Sequence, residues 1–378
     1  MGRCLLCGRS SNTISNVIGV CVKCLREKPR EALEIAMRNH IEWRIKHGLP
    51  PLPPRDPKGL KCTLCVNECR IPSGGRGYCG VIVNDNGVLR NIAGPNRAIV
   101  LWYLDPHPTN CVAEPVCPAT TSRGYPKYTH TTGVEYGYYN LAVFFGGCNL
   151  DCLFCQNWEH REMPFKLAPN HIHSIEELVE EALNPKVTCI CYFGGDPGPH
   201  ITFALAASRA IIRKAREKGE IKRICWETNG LENPAIMREM TRISLETGGI
   251  VKIDFKAWTR SVYQALTGID GVERVKENIR LVASFMDKRR DPPLLVVSTL
   301  LVPGYVDLYE VRRIAEFLVE VDPRIPYILL GFHPDHRLRD LPRTSRVHMF
   351  EAYRVAREVG LREVYMGNIF LLSDAYSI

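Results

Sequence analysis

Three observations in this 378-residue chain predict an α/β fold with a parallel sheet, preceded by small cysteine-rich metal-binding segments. Apolar strand-like runs alternate with helical stretches from about residue 136 onward, the pattern of β-α units. The unusual glycine and polar motifs fall just after those runs, where doubly wound sheets and barrels collect their chemistry. Sixteen cysteines fall largely into groups at metal-ligand intervals.

Composition sets the frame. At 45% hydrophobic and 24% charged residues the chain is ordinary globular material. No apolar run approaches the roughly 18 residues needed to span a bilayer. The start Met1-Gly-Arg-Cys-Leu-Leu6 lacks a signal-peptide apolar region, and Leu6 fails the myristoylation pattern. The expectation is a soluble cytoplasmic protein with no membrane role, in which thiols stay reduced. The net charge is +8, and residues 1–60 carry 11 Lys and Arg against five Asp and Glu. This basic excess reads as a solvated surface, with nucleic-acid contact the weaker option.

Residues 1–28 form the first segment. Cys4-x2-Cys7 and Cys21-x2-Cys24, 13 residues apart, read as a zinc-ribbon-like clip. Each C-x2-C turn offers two sulfurs to one tetrahedral ion, and the metal supplies the folding energy that so small a segment lacks. Iron held in a rubredoxin-like way is the competing occupant. Residues 29–59 follow as a helix and proline-rich linker. Leu33, Met37, Ile41 and Ile45 recur at i+4 as one apolar stripe, and Gly48-Leu-Pro-Pro-Leu-Pro-Pro54 ends the helix.

Residues 60–135 make a cysteine-rich segment and connector. Cys62, Cys65, Cys69 and Cys79 form a second four-sulfur set, holding zinc or an auxiliary iron–sulfur cluster. Gly75, Gly77 and Gly80 match G-x-G-x-x-G, but no strand precedes them and no helical pattern follows, so a dinucleotide loop is rejected. Cys111 and Cys117 are candidate further ligands. The stretch from Tyr103 to Tyr139 is a candidate cover for the mouth of the fold. Cys189, Cys191 and Cys225 lie in apolar runs and read as small buried hydrophobes.

Residues 136–370 carry the core. Its strands are expected at Leu141–Phe145, Val187–Phe193, Ile224–Thr228, Ile250–Phe255, Leu294–Leu301 and Tyr327–Phe332. Ser174-x-x-Glu177 and Asp307-x-x-Glu310 resemble capping boxes opening two helices. His200–Lys218 and Thr344–Gly360 are further helices.

The chemistry concentrates at the strand ends. Cys148, Cys152 and Cys155 form C-x3-C-x2-C after the first strand. Three thiolates on one loop hold three irons of a cubane cluster and leave the fourth iron open to a ligand. A zinc reading of the triplet needs a fourth ligand such as His160. Gly194, Gly195 and Asp196 follow the second strand, where glycines allow close backbone approach. Thr228 and Asn229 end the third. Asp254 and Lys256 share a face of the fourth, as ligand contacts or as a structural ion pair.

This combination resembles the radical S-adenosylmethionine superfamily, through Cys148-x3-Cys152-x-Phe154-Cys155, Tyr192-Phe-Gly-Gly-Asp-Pro197 and the strand order. The runs Ile253-Asp-Phe-Lys-Ala257, Leu266-Thr-Gly268, Leu301-Val-Pro-Gly304 and Phe332-His-Pro-Asp335 are similar to those of pyruvate formate-lyase activating enzymes. The cysteine-rich stretch at Cys62–Cys79 most resembles the AmmeMemoRadiSam-type branch. The resemblance covers roughly residues 60–370, and the Cys4–Cys24 clip is additional to it. It implies a partial (β/α)6 TIM-like barrel and a [4Fe–4S] cluster on Cys148, Cys152 and Cys155. The open iron of that cluster would take the amino and carboxylate groups of S-adenosylmethionine. Phe154 would pack beside the adenine. Gly194, Gly195 and Asp196 would hold the methionine amino end, with Asp196 standing where the family pattern usually has Glu. Asp254 and Lys256 would contact the methionine or ribose, and His333 would neighbour the cofactor.

The implied function is an oxidoreductase-like radical enzyme. It would need a ferredoxin- or flavodoxin-type electron donor and act on an unidentified substrate, a protein or peptide in the activating-enzyme manner. The alternative of a different class is a nucleic-acid or protein binding module of zinc clips on a non-catalytic barrel. It predicts strongly salt-dependent binding and no cofactor cleavage.

Overall fold

The computed structural model describes residues 1–378. Its body is one nine-stranded sheet made of β1 (Arg97–Pro106), β2 (Tyr139–Phe145), β3 (Ile172–Ser174), β4 (Val187–Phe193), β5 (Arg223–Thr228), β6 (Val251–Asp254), β7 (Leu295–Leu301), β8 (Tyr327–Gly331) and β9 (Val364–Gly367). The order is β9-β8-β7-β6-β5-β4-β2-β1-β3. Every pairing from β2 to β9 is parallel, and β1 runs antiparallel to both β2 and β3. A helix lies between each successive pair of parallel strands, as crossover geometry requires. The sheet is open, with β9 and β3 at its edges.

All six expected strands are present with ends shifted by at most two residues. They were readable because strands buried on both faces are continuous apolar runs. The sequence reading did not assign β1, β3 and β9. β1 is buried at Ala98, Ile99 and Val100 and more exposed beyond them, and it runs into a stretch that looked irregular. Ser174 caps its helix as expected, its side chain accepting from Glu177 N–H while the Glu177 carboxylate returns to Ser174 N–H. Asp307 accepts from Glu310 N–H, but the Glu310 carboxylate turns away to Trp258, Thr259 and Arg26.

Two expectations need correction. The helix Pro29–Lys46 does not bury the Leu33–Ile45 stripe. Ala32, Ala36, Met37, His40 and Arg44 are its buried residues, and Ile45 is exposed. Polar partners deeper in the molecule, described below, rotate the helix toward His40 and Arg44. The stretch after β1 reaches the mouth through Val112, which lines the pocket described below, but does not cover it. Residues 107–138 close the opposite end of the sheet, where Glu135 pairs with Arg223 at the start of β5 and His107 meets Thr188 in β4. Ala113 and Val116 from this plug pack among Cys189, Cys225, Ile250, Val296 and Ile328, on the sheet face away from the main helical core.

The N-terminal clip is docked on the body. Arg26 pairs with Asp307 at 2.6 Å and Glu310 at 2.8 Å, and Tyr305 Oη donates to Val20 O at 2.9 Å. No helix is long and apolar enough to cross a membrane.

Candidate active site and cysteine centres

An open pocket lies at the C-terminal ends of the parallel strands. Cys148, Cys152, Phe154 and Cys155 reach it from the loop after β2. Gly194, Gly195 and Asp196 reach it after β4, Thr228 and Asn229 after β5, and Asp254 and Lys256 from the end of β6. His333 is half-buried outside this lining, so the structure does not bring it to the others.

The triplet loop is held from several directions. Asp151, between Cys148 and Cys152, is fully buried. Its carboxylate meets His40 Nδ1 at 2.7 Å, Arg337 Nη2 at 2.8 Å and Arg161 Nη2. Burial opposes ionisation, but Arg161, His40 and Arg337 outweigh it and hold the carboxyl well below its usual range. Trp43 lies between the guanidiniums of Arg161 and Arg337, 4.7 and 4.8 Å from its ring centre. The backbone adds a second clamp. Asp151 N–H donates to Thr267 O at 2.8 Å and Leu153 N–H to Leu266 O at 3.0 Å. Gly268 makes this approach feasible. It has φ +79°, and a Cβ there would press on Tyr78, His40 and Asp151. Leu338 N–H donates to Leu153 O at 3.0 Å from the other side.

Asp196 is buried and braced. It accepts from Gly198 N–H at 2.8 Å and Asn229 N–H at 3.0 Å, and Thr228 Oγ1 lies 3.2 Å from it. Thr228 also donates to Glu232 at 2.6 Å. Burial and the neighbouring Asp196 push the Glu232 carboxyl well above its ordinary value. The glycines before Asp196 serve packing. Both have positive φ, and a Cβ on Gly194 would overlap the Phe144 ring while one on Gly195 would overlap Phe145 O. Asp254 lies between Lys252 at 2.8 Å and Lys256 at 3.1 Å and accepts from Ser298. Burial resists ionisation there, but the two lysines draw the Asp254 carboxyl far down.

The donor set fits an iron–sulfur cluster. Burial pushes the Cys148, Cys152 and Cys155 thiols up, Cys152 to about 12. Such buried sulfurs become thiolates only beside a cationic centre. Arg161 lies beside all three and lines the same pocket, and its Nη1 has no partner. No arrangement suited to zinc is present. The three sulfurs do not gather within 4.8 Å of one another, and His160 stacks on Phe144 with centroids 4.6 Å apart. Sequence reasoning missed Arg161, Glu227, Lys252 and Ser298 in the lining, because only the fold brings their positions together.

The other cysteines divide into distinct groups. Cys4, Cys7, Cys21 and Cys24 have sulfurs within 4.8 Å of one another, with Cys4 to Cys24 at 3.7 Å and Cys7 to Cys21 at 3.8 Å. Cys62, Cys65, Cys69 and Cys79 surround a separate cavity of about 360 Å³. Cys111 and Cys117 do not join that set. They lie on the plug beside Cys189, Cys191 and Cys225, around a third cavity. There Cys111 Sγ donates to Glu227 at 3.1 Å, and Cys189 and Cys225 sulfurs are 3.6 Å apart. The strand cysteines are buried, as their apolar runs implied, yet they face other thiols.

The family model of the Radical SAM superfamily matches residues 142–318. An uncharacterized protein of Methanocaldococcus jannaschii is 29% identical over 318 residues, 83% of each chain. The structure is similar to that of a radical SAM methyltransferase from Sphaerobacter thermophilus at 15% identity, with TM-score 0.42, over 62% of this chain and 69% of that one. It is also similar to native anSMEcpe with bound AdoMet at 17% identity, with TM-score 0.35, over 49% of this chain and 48% of that one.

Proposed function

Residues 142–318 match the family model of the Radical SAM superfamily, and from that premise we propose that this chain reductively cleaves S-adenosylmethionine and takes hydrogen from a substrate. The observation that carries this reading is the convergence of Cys148, Cys152 and Cys155 with four strand ends on one pocket. Cys148, Cys152 and Cys155 would hold a [4Fe–4S] cluster, which when bound would supply the electron that cleaves S-adenosylmethionine into methionine and a 5′-deoxyadenosyl radical.

The chain's own residues orient and exclude. The Asp151 cage fixes the triplet loop, and Arg161 offsets the negative charge of the three thiolates. Asp196, buried and braced by two backbone N–H groups, ties the strand ends together and presents its carboxyl oxygens to an ammonium group. Lys256 stands 5.9 Å over the Phe154 ring, so an aromatic wall and a cation meet where an adenosine moiety would lie. Asp254, held between two lysines, can accept from ribose hydroxyls.

The clip at Cys4, Cys7, Cys21 and Cys24 is proposed to hold structural zinc. A low-potential ferredoxin- or flavodoxin-type protein would supply the electron. A protein or peptide substrate, in the activating-enzyme manner, is favoured by the runs around Asp254 and Leu266 that resemble those enzymes. The test is product analysis. Anaerobically reconstituted protein with dithionite and S-adenosylmethionine should form 5′-deoxyadenosine, and the Cys148→Ala/Cys152→Ala/Cys155→Ala protein should form none. Undiminished formation by that variant overturns the reading.

A further inference from the structure

We propose that Cys62, Cys65, Cys69 and Cys79 hold a second [4Fe–4S] cluster, closed by four thiolates and set beside the triplet site. This goes beyond the reading above and rests on it only for the role of the electron.

The chain contains its own ruler. Zinc binds sulfur at about 2.3 Å, so a tetrahedral site sets its sulfurs about 3.8 Å apart. The N-terminal clip has that spacing, at 3.7 and 3.8 Å. A cubane cluster holds its cysteine sulfurs about 6 Å apart, because each lies one iron out from the cluster centre. No three sulfurs of the Cys62–Cys79 set lie within 4.8 Å of one another, and the same holds for the triplet. The close spacing of the clip is thus found neither in the second set nor in the triplet.

All four cysteines line one cavity, whose other walls include Leu64, Ile71 and Ile82, so the four sulfurs converge on a common space. A backbone donor serves the set as well, since Tyr78 N–H points at Cys69 Sγ at 3.4 Å. Such N–H···S bonds stabilise ligated thiolates and tune cluster potential.

The position gives the cluster a role. Cys65 bridges to Glu232, Val66 N–H donates to Leu231 O at 2.8 Å, and Asn233 N–H donates to Leu64 O at 2.9 Å. Asn67 Nδ2 donates to Asn149 O at 2.7 Å, and Asn149 is bonded to Cys148 and lines the same cavity. With four thiolates the cluster has no open iron for S-adenosylmethionine. Its chemistry is electron transfer. One electron enters from a low-potential ferredoxin- or flavodoxin-type donor and leaves to the centre on the triplet, and no bond forms or breaks at the closed cluster.

Metal and sulfide analysis of the full-length, anaerobically reconstituted protein tests this. We expect about eight irons and eight sulfides per chain, as two cubane clusters require, together with one zinc. The Cys65→Ser/Cys79→Ser protein should lose half the iron and keep its zinc. The triplet Ala variant should also keep half the iron, in a cluster whose reduced spectrum S-adenosylmethionine does not alter. A wild-type chain with half that iron and two zincs, whose Cys65→Ser/Cys79→Ser form loses zinc instead of iron, overturns the proposal. Should that variant fail to fold, the triplet variant decides alone, since an iron-free chain with two zincs is equally contrary. Failure of the triplet reading would look different, with the triplet variant keeping all the wild-type iron.

Discussion

Asp151 does more for the candidate site than its place between two cysteines suggests. It is a buried anion shared by His40, Arg161 and Arg337, and its loss leaves the two guanidiniums uncompensated. Asp151→Asn should cost about 3–5 kcal/mol of stability, read as a lower urea midpoint, and should lower the iron retained after desalting. Glu232 is the opposite case. Its carboxyl is pushed well above its ordinary value by burial and by Asp196, which favours the neutral form. Glu232→Gln should therefore shift stability by less than about 1 kcal/mol. A loss several times larger would show that Glu232 is ionised. The cysteine triplet was legible because its spacing is local. The cage was not, since residues 40, 151, 161 and 337 are joined only by the fold. The glycines at 194 and 195 were noticed for ligand approach, but only coordinates reveal that Phe144 and Phe145 exclude a side chain there.

At the scale of elements, the parallel strands were legible because each is a continuous apolar run buried on both faces. Edge strands and the plug carry weaker patterns, and β1 escaped because its apolar run leads straight into the Pro-rich stretch that follows. The Pro29–Lys46 helix shows a second limit. Its i+4 apolar stripe was real in the sequence, yet the buried face is set by His40 and Arg44 reaching inward to Asp151 and Tyr78. The Ser174 box was readable because capping is local, and Ser174→Ala should cost about 1 kcal/mol in thermal or urea unfolding. The plug is anchored by a fully buried ion pair, with Arg223 Nη1 to Glu135 Oε1 at 3.0 Å. Arg223 draws the Glu135 carboxyl down to about 2 against the penalty of burial. Glu135→Gln leaves that guanidinium unpaired and should cost about 3–5 kcal/mol.

Over the whole molecule, protonation opposes the fold in acid. His107, His200 and His348 are kept neutral by burial, each with its pKa lowered to about 4. Above pH 6.5 both folded and unfolded states hold these rings neutral, so their contribution is complete. As pH falls from 6.5 toward 4 the unfolded chain takes up protons that the folded one refuses. Stability should then decline by up to about 4 kcal/mol per pH unit for three such groups. Urea midpoints of the cluster-free, zinc-loaded protein between pH 7 and 5 should fall accordingly, and a flat profile would contradict this. The clip belongs to the same scale. Its removal strips Arg26 from Asp307 and Glu310 and Val20 O from Tyr305, so a chain lacking residues 1–28 should melt lower. Its 5′-deoxyadenosine formation should be largely retained, because no clip residue lines the pocket.

The central claim is that the triplet presents an open iron to S-adenosylmethionine. Pulsed magnetic resonance of the reduced protein with S-adenosylmethionine labelled with nitrogen-15 at the amino group tests it most directly. We expect a hyperfine coupling between that nitrogen and the cluster, present in wild type and absent from the Cys148→Ala/Cys152→Ala/Cys155→Ala protein. A fully loaded wild-type protein that shows no such coupling would contradict the claim.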